Sequence, residues 1–169
     1  MKICILSDSH DHSPLVRRAA EEACSAGAEL FLHCGDVIGA HTLESLVETG
    51  LPVHVVHGNN LGDPVAMANL VARSRGMLTY HGADADLRLD GRRVFVVHYP
   101  HYGRAMAGTG DFDLVCCGHS HKAEIVRLPN LKGGETLMVN PGTVAGLAAA
   151  PTYALGDLGT LSFEIRRLA

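Results

Sequence analysis

Seven side chains in this 169-residue chain have the types and positions to hold metal: Asp8, His10, Asp36, Asn59, His98, His119 and His121. Each stands where a short hydrophobic run ends. Carboxylate, amide and imidazole donors in one set are what a pair of divalent cations about 3.5 to 4 Å apart needs, with positions left open for water and phosphate oxygens. Asp36 is the natural bridge between the two. Asp8 and His10 lie two apart on an extended turn, so both can point into one site, and His119 and His121 repeat that relation. Mixed nitrogen and oxygen donors suit Mn, Fe, Zn or Ni better than Mg or Ca. Asn59 adds a weak neutral donor that leaves its metal more acidic. Gly35, Gly58 and Gly118 allow the sharp turns and close backbone approach that such a cluster demands.

The elements that must position these groups follow from the hydrophobic pattern. Residues 2–7 (KICILS), 29–34 (ELFLHC) and 52–57 (PVHVVH) read as buried strands, handing over to Asp8-Ser9-His10, Gly35-Asp36 and Gly58-Asn59. Stretches with helical periodicity, PLVRRAAEEACSAG and HTLESLVETG, separate them, the alternation of a parallel α/β sheet. Open parallel sheets bind ligands at the carboxyl ends of their strands, where all these polar residues fall. A further helix is expected near 63–75, then short strands with a hairpin at Asp90-Gly91, a strand over 113–118, and a run of antiparallel strands to the C-terminus. A parallel half followed by a strand-rich half predicts a four-layer α-β-β-α sandwich of two mixed sheets, with residues 1–169 forming a single domain.

Composition narrows the partners. With 14 basic against 18 acidic residues and a formal charge of −4, the chain offers no basic face for stable nucleic-acid binding, which points to a small-molecule partner. No apolar run approaches the ~20 residues of a membrane span, and the start has too short an apolar stretch for a signal peptide. A cytoplasmic location is expected. The five cysteines are odd in number and form no CxxC pair, so they read as small core hydrophobes in a reducing compartment. The oligomeric state is left open, a homo-oligomer included.

The ordered set Asp8-x-His10, Gly35-Asp36, Gly58-Asn59, His98 and Gly118-His119-x-His121 resembles the calcineurin-like metallophosphoesterase superfamily, and the small size with Asn140-Pro141-Gly142-Thr143 resembles its short bacterial and archaeal phosphodiesterase branch. The resemblance spans nearly the whole chain. It implies a metallophosphoesterase-like fold and a phosphodiesterase with two divalent metals, Mn foremost, with Asp8, His10, Asp36 and His121 on one and Asp36, Asn59, His98 and His119 on the other. It further implies that Asp36, Asn59 and His98 are catalytic and that a metal-bridging hydroxide attacks phosphorus in line. The alternative is a protein-interaction scaffold of the same fold, as in the small retromer subunit. Scaffold relatives tend to lose ligands, whereas all seven positions here carry competent donors.

The chain also departs from the family pattern. Many relatives follow Gly-Asn with His and an acidic residue, and the short branch often has Cys-Asp; here Asn60 and Leu61 stand there. Neither is a general acid at neutral pH, so a preference for activated diesters with acidic leaving alcohols is expected. Asp63 before Pro64 reads as a helix N-cap, and Asp11 as the cap of the helix over 13–27. After His98, relatives often have Gly-His, whereas Tyr99-Pro100-His101 places its histidine one residue farther along. Tyr99 and Tyr102 read as packing beside a turn, with lining of the pocket as the alternative. His12, His33, His41, His54, His57 and His81 read as surface or hydrogen-bonded core residues, His33 and His57 being placed to support a ligand turn. Arg17 and Arg18 read as a solvated helix face, and Asn140-Pro141-Gly142-Thr143 as a turn that in relatives approaches the metals.

Overall fold

Period-two alternation decides which hydrophobic layer each strand residue joins in the computed structural model, which describes residues 1–168. In β1 (Lys2–Leu6), Cys4 and Leu6 pack with helices, while Ile3 and Ile5 face the second sheet. Parallel to it run β2 (Leu30–His33), β3 (Val53–Val55) and β4 (Leu78–Tyr80). The second sheet contains β5 (Asp84–Leu89), β6 (Arg92–Val97), β7 (Leu114–Cys116), β8 (Ala123–Pro129) and β9 (Glu135–Pro141), in the order β5-β6-β7-β9-β8. Its three central strands are parallel and its two edges antiparallel. Then β10 (Thr152–Asp157) and β11 (Ser162–Arg167) return to the first sheet, giving the order β11-β10-β1-β2-β3-β4.

Helices cover both outer faces, as the predicted four layers require. The first sheet carries α1 (Ser13–Ser25), a 3₁₀ turn (Ala40–Leu43) that runs into α2 (Glu44–Val47), and α3 (Pro64–Arg73). α1 buries Val16, Ala19, Ala20 and Ala23, one face at helical spacing. The outer face of the second sheet is covered by α4 (Pro100–Thr109), which the sequence reading did not anticipate. Phe95, Val97, Val115 and Met138 form the layer beneath it with Ala107.

Several local expectations hold. Asp90 and Gly91 both have positive φ, 49° and 76°, and join β5 to β6 as a type I′ turn does. Asp63 caps α3, accepting from the Val65 and Ala66 amides at 2.8 and 3.2 Å. Others are corrected. Asp11 does not cap α1: the N-cap is His12, whose Nδ1 accepts from the Leu15 amide, while Asp11 accepts from the Gly39 amide at 2.5 Å and the Thr42 hydroxyl. The expected C-terminal run of antiparallel strands is split between sheets, because β9 pairs in parallel with β7 and the chain then crosses to place β10 beside β1. All five cysteines are free thiols, and among the described residues no helix is long and apolar enough to cross a membrane.

Candidate metal centre

All seven predicted donors converge, although they come from loops after β1, β2 and β3 in one sheet and after β6 and β7 in the other. His10 Nε2 lies 3.3 Å from His121 Nε2, and His121 Nε2 lies 3.2 Å from Asp8 Oδ1. Asp36 reaches both groups, with Oδ2 3.7 Å from His10 Nε2 and Oδ1 3.4 Å from His98 Nε2. His98 Nε2 in turn faces Asn59 Oδ1 and His119 Nδ1, each at 3.2 Å. Donor atoms of Asp8, His10 and His121 lie within 4.8 Å of one another, as do those of Asp8, Asp36 and His98.

The backbone is bent to achieve this. Asp8, His10, Asp36, His119 and His121 all occupy the left-handed region, with φ between 40° and 64°. Asp and His tolerate that region better than most residues, yet each such turn costs about 1 kcal/mol over an ordinary conformation. The glycines matter for space. A Cβ on Gly58 would lie 2.1 Å from Asp36 Oδ1, and one on Gly118 would lie 1.8 Å from Ser7 Oγ and 2.8 Å from Asp8 Oδ2.

Hydrogen bonds fix which imidazole nitrogens are free. His98 Nδ1 donates to the Cys34 carbonyl at 2.7 Å, and His121 Nδ1 donates to the Leu147 carbonyl at 2.9 Å. In the neutral rings this leaves both Nε2 atoms as bare lone pairs aimed inward. The His98 lone pair then faces the Asn59 carbonyl oxygen, an Asp36 oxygen and the His119 Nδ1, a cluster of electron-rich atoms suited to a cation. Asp8 Oδ1 is buried with no hydrogen-bond partner, although Oδ2 accepts from the Ser7 hydroxyl at 2.6 Å and the His119 amide at 2.9 Å. An orphaned buried carboxylate oxygen costs stability unless something positive meets it. The residues present therefore fit divalent metal.

A family model described as the calcineurin-like phosphoesterase superfamily domain matches residues 1–160. The chain belongs to that superfamily. A relative from Methanocaldococcus jannaschii, named a phosphodiesterase, is 26% identical over 171 residues, covering 99% of this chain and 98% of its own. A solved structure described as a novel archaeal phosphodiesterase superposes with a TM-score of 0.89 at 24% identity, covering 99% of this chain and all of that one. Yfce, a phosphoesterase from E. coli, has a TM-score of 0.66 at 20% identity with full coverage of both chains. Chaetomium thermophilum Vps29 has a TM-score of 0.67 at 16% identity, covering 98% of this chain and 85% of its own. At these identities the solved structures speak for the superfamily fold.

Supporting residues complete the centre. Asn60, which by sequence is a lost acid, clamps Asp36: its amide donates to Oδ1 at 2.9 Å and its side-chain Nδ2 to Oδ2 at 2.6 Å. Burial alone pushes the Asp36 carboxyl up, but these two bonds and the nearby His98 and His10 outweigh it and hold the carboxyl below its ordinary value. His33 is wholly buried, and burial, aided by His98, drives its pKa down to about 3. Its Nδ1 accepts from the Gly35 amide at 3.3 Å, which leaves Nε2–H to donate to Ser9 Oγ at 3.1 Å. His33 thus ties the Asp36 turn to the Asp8-His10 turn, as its position predicts. His57 instead bonds Tyr80. Asn140 belongs to β9 rather than to a turn, and its Nδ2 donates to the Gly118 carbonyl and to Ser120 Oγ. Thr143 Oγ1 donates to the Asp8 carbonyl at 3.0 Å. His101 sits exposed on the first turn of α4, outside the donor cluster.

Proposed function

We propose that the chain is a metal-dependent phosphodiesterase, a single cytoplasmic domain that cleaves a small phosphodiester with two divalent metals, manganese foremost. In this reading Asp8, His10, Asp36 and His121 hold one metal, and Asp36, Asn59, His98 and His119 the other. The observation that carries it is the convergence of imidazole, carboxylate and amide donors around Asp36, with a buried Asp8 oxygen left without a hydrogen bond. When bound, the metals supply an acidified water as nucleophile and neutralise charge on the phosphoryl oxygens.

The chain's own groups orient that chemistry. Asn60 fixes both oxygens of Asp36, so the carboxylate that would hold metal is kept in one pose. The Cys34 and Leu147 carbonyls fix the tautomers of His98 and His121, which keeps Nε2 free to ligate. Asn60 and Asp63 are both engaged, one with Asp36 and one capping α3, so neither protonates the departing oxygen. With neither available, leaving alcohols that are already acidic are favoured.

Likeness to Vps29 raises the scaffold reading, and the complete donor set weighs against it. The deciding experiment is hydrolysis of a bis-aryl phosphodiester and the matching monoester by metal-stripped protein with Mn, Ni, Zn, Mg or no addition, beside Asp36→Asn. Metal-restored turnover that the variant lacks, larger on the diester, is expected. Tight metal binding without turnover of either ester favours the scaffold.

A further inference from the structure

Tyr102 is the single exposed Phe or Tyr among the described residues, 56% exposed on the first turn of α4. Its ring is nevertheless held. It packs on His101 with centroids 4.2 Å apart, and edge-on against Tyr99 at 5.8 Å. Tyr99 in turn lies edge-on to His119 at 4.9 Å and to His98 at 5.2 Å. A continuous run of rings therefore leads from two candidate metal ligands to the surface. Pro100, at the first helical position, fixes the backbone from which His101 and Tyr102 project.

An isolated exposed tyrosine needs no explanation, but one already ordered by neighbours has lost the freedom that docking would otherwise cost it. Such a ring beside a reactive centre is suited to stacking on another flat ring. Glycerol, sugars and nucleosides are the common alcohols of biological phosphodiesters, and of these only nucleosides carry a flat aromatic ring. The chain's charge of −4 favours a mononucleotide or dinucleotide diester over a polymer.

We propose that Tyr102, backed by Tyr99 and His101, is a stacking platform for the base of a nucleoside phosphodiester whose phosphorus sits at the metal centre; this rests on the phosphodiesterase reading above. The test is calorimetric titration of the manganese-loaded protein with adenosine 5′-monophosphate and with ribose 5-phosphate, which carries a hydroxyl where the nucleotide carries its base. The nucleotide is expected to bind about 5- to 10-fold tighter, the low end for a base stacked on one aromatic face. Tyr102→Leu brings that ratio close to one without moving the melting temperature, and Tyr102→Phe retains it. Equal binding of the two ligands by wild type, or a nucleotide advantage that survives Tyr102→Leu, overturns the platform and leaves the phosphoesterase reading standing. Binding of neither ligand, with no turnover of the bis-aryl diester, overturns both.

Discussion

Where β1 begins, charges are wet and paired: the amino terminus bonds Asp90 at 2.7 Å and Asp157 at 3.4 Å, and the Lys2 ammonium donates to the Ala26 carbonyl at 2.7 Å. Where the same strand ends, Asp8 is wholly buried with one oxygen orphaned, and its backbone is left-handed. The turns differ in the same way. Asp90-Gly91 adopts positive φ with nothing near the glycine, whereas Gly58 and Gly118 are jammed against ligand oxygens. One edge of the strands is satisfied without help, while the other combines left-handed turns with a buried carboxylate oxygen that lacks a hydrogen bond.

Asp36→Asn should break this contrast most severely. Turnover should fall by more than about 100-fold, beyond the usual effect of losing an outer partner of a metal ligand, whereas Asp90→Asn at the opposite edge should change neither rate nor stability measurably. Next in size, manganese at a hundred times its dissociation constant should raise the urea-unfolding free energy by about 3 kcal/mol over chelator-treated protein. Asp8→Asn should abolish that increment. Gly118→Ala should cost about 1 to 3 kcal/mol through overpacking and weaken metal binding. Gly91→Ala, strained in φ alone, should cost about 1 kcal/mol and leave turnover intact.

A separate expected effect concerns pH. Folded protein keeps His33 neutral down to about pH 3, against an ordinary value of 6.5. Unfolded chain takes up that proton below 6.5, so stability is full above 6.5 and falls as pH drops toward 3. Between pH 6.5 and 5, wild type should lose about 2 kcal/mol more than His33→Gln by urea midpoints. An equal loss in both would remove His33 from the acid sensitivity of this edge.

Asp8, His10, Asp36 and the Gly118-His119-x-His121 segment were legible because rare residue types closed plain hydrophobic strands, and topology gathers strand ends. α4 was not legible. Gly103 and Gly108 interrupt its pattern, yet a Cβ on Gly103 would lie 3.4 Å from Val115 and 3.5 Å from Cys117, so the residue that hides the helix also seats it against the sheet. Asn60 read as a missing acid because its partner Asp36 is 24 residues away and an amide carries no titratable signature. Asp11 read as a cap from its place before a helix, whereas Gly39 and Thr42, brought near by folding, claim its carboxylate. In each case a contact between distant segments overrode the local rule.

The donors come from both sheets, and the two sheets pair their strands separately. A metal held by both Asp36 and His98 would therefore add a tie between layers that already meet through side chains such as Ile5, Val94 and Leu137 and through the His98–Cys34 hydrogen bond. Metal loading would then be a mechanical event as well as a chemical one. Such a tie would hold the two sheets together at the mouth where both contribute donors.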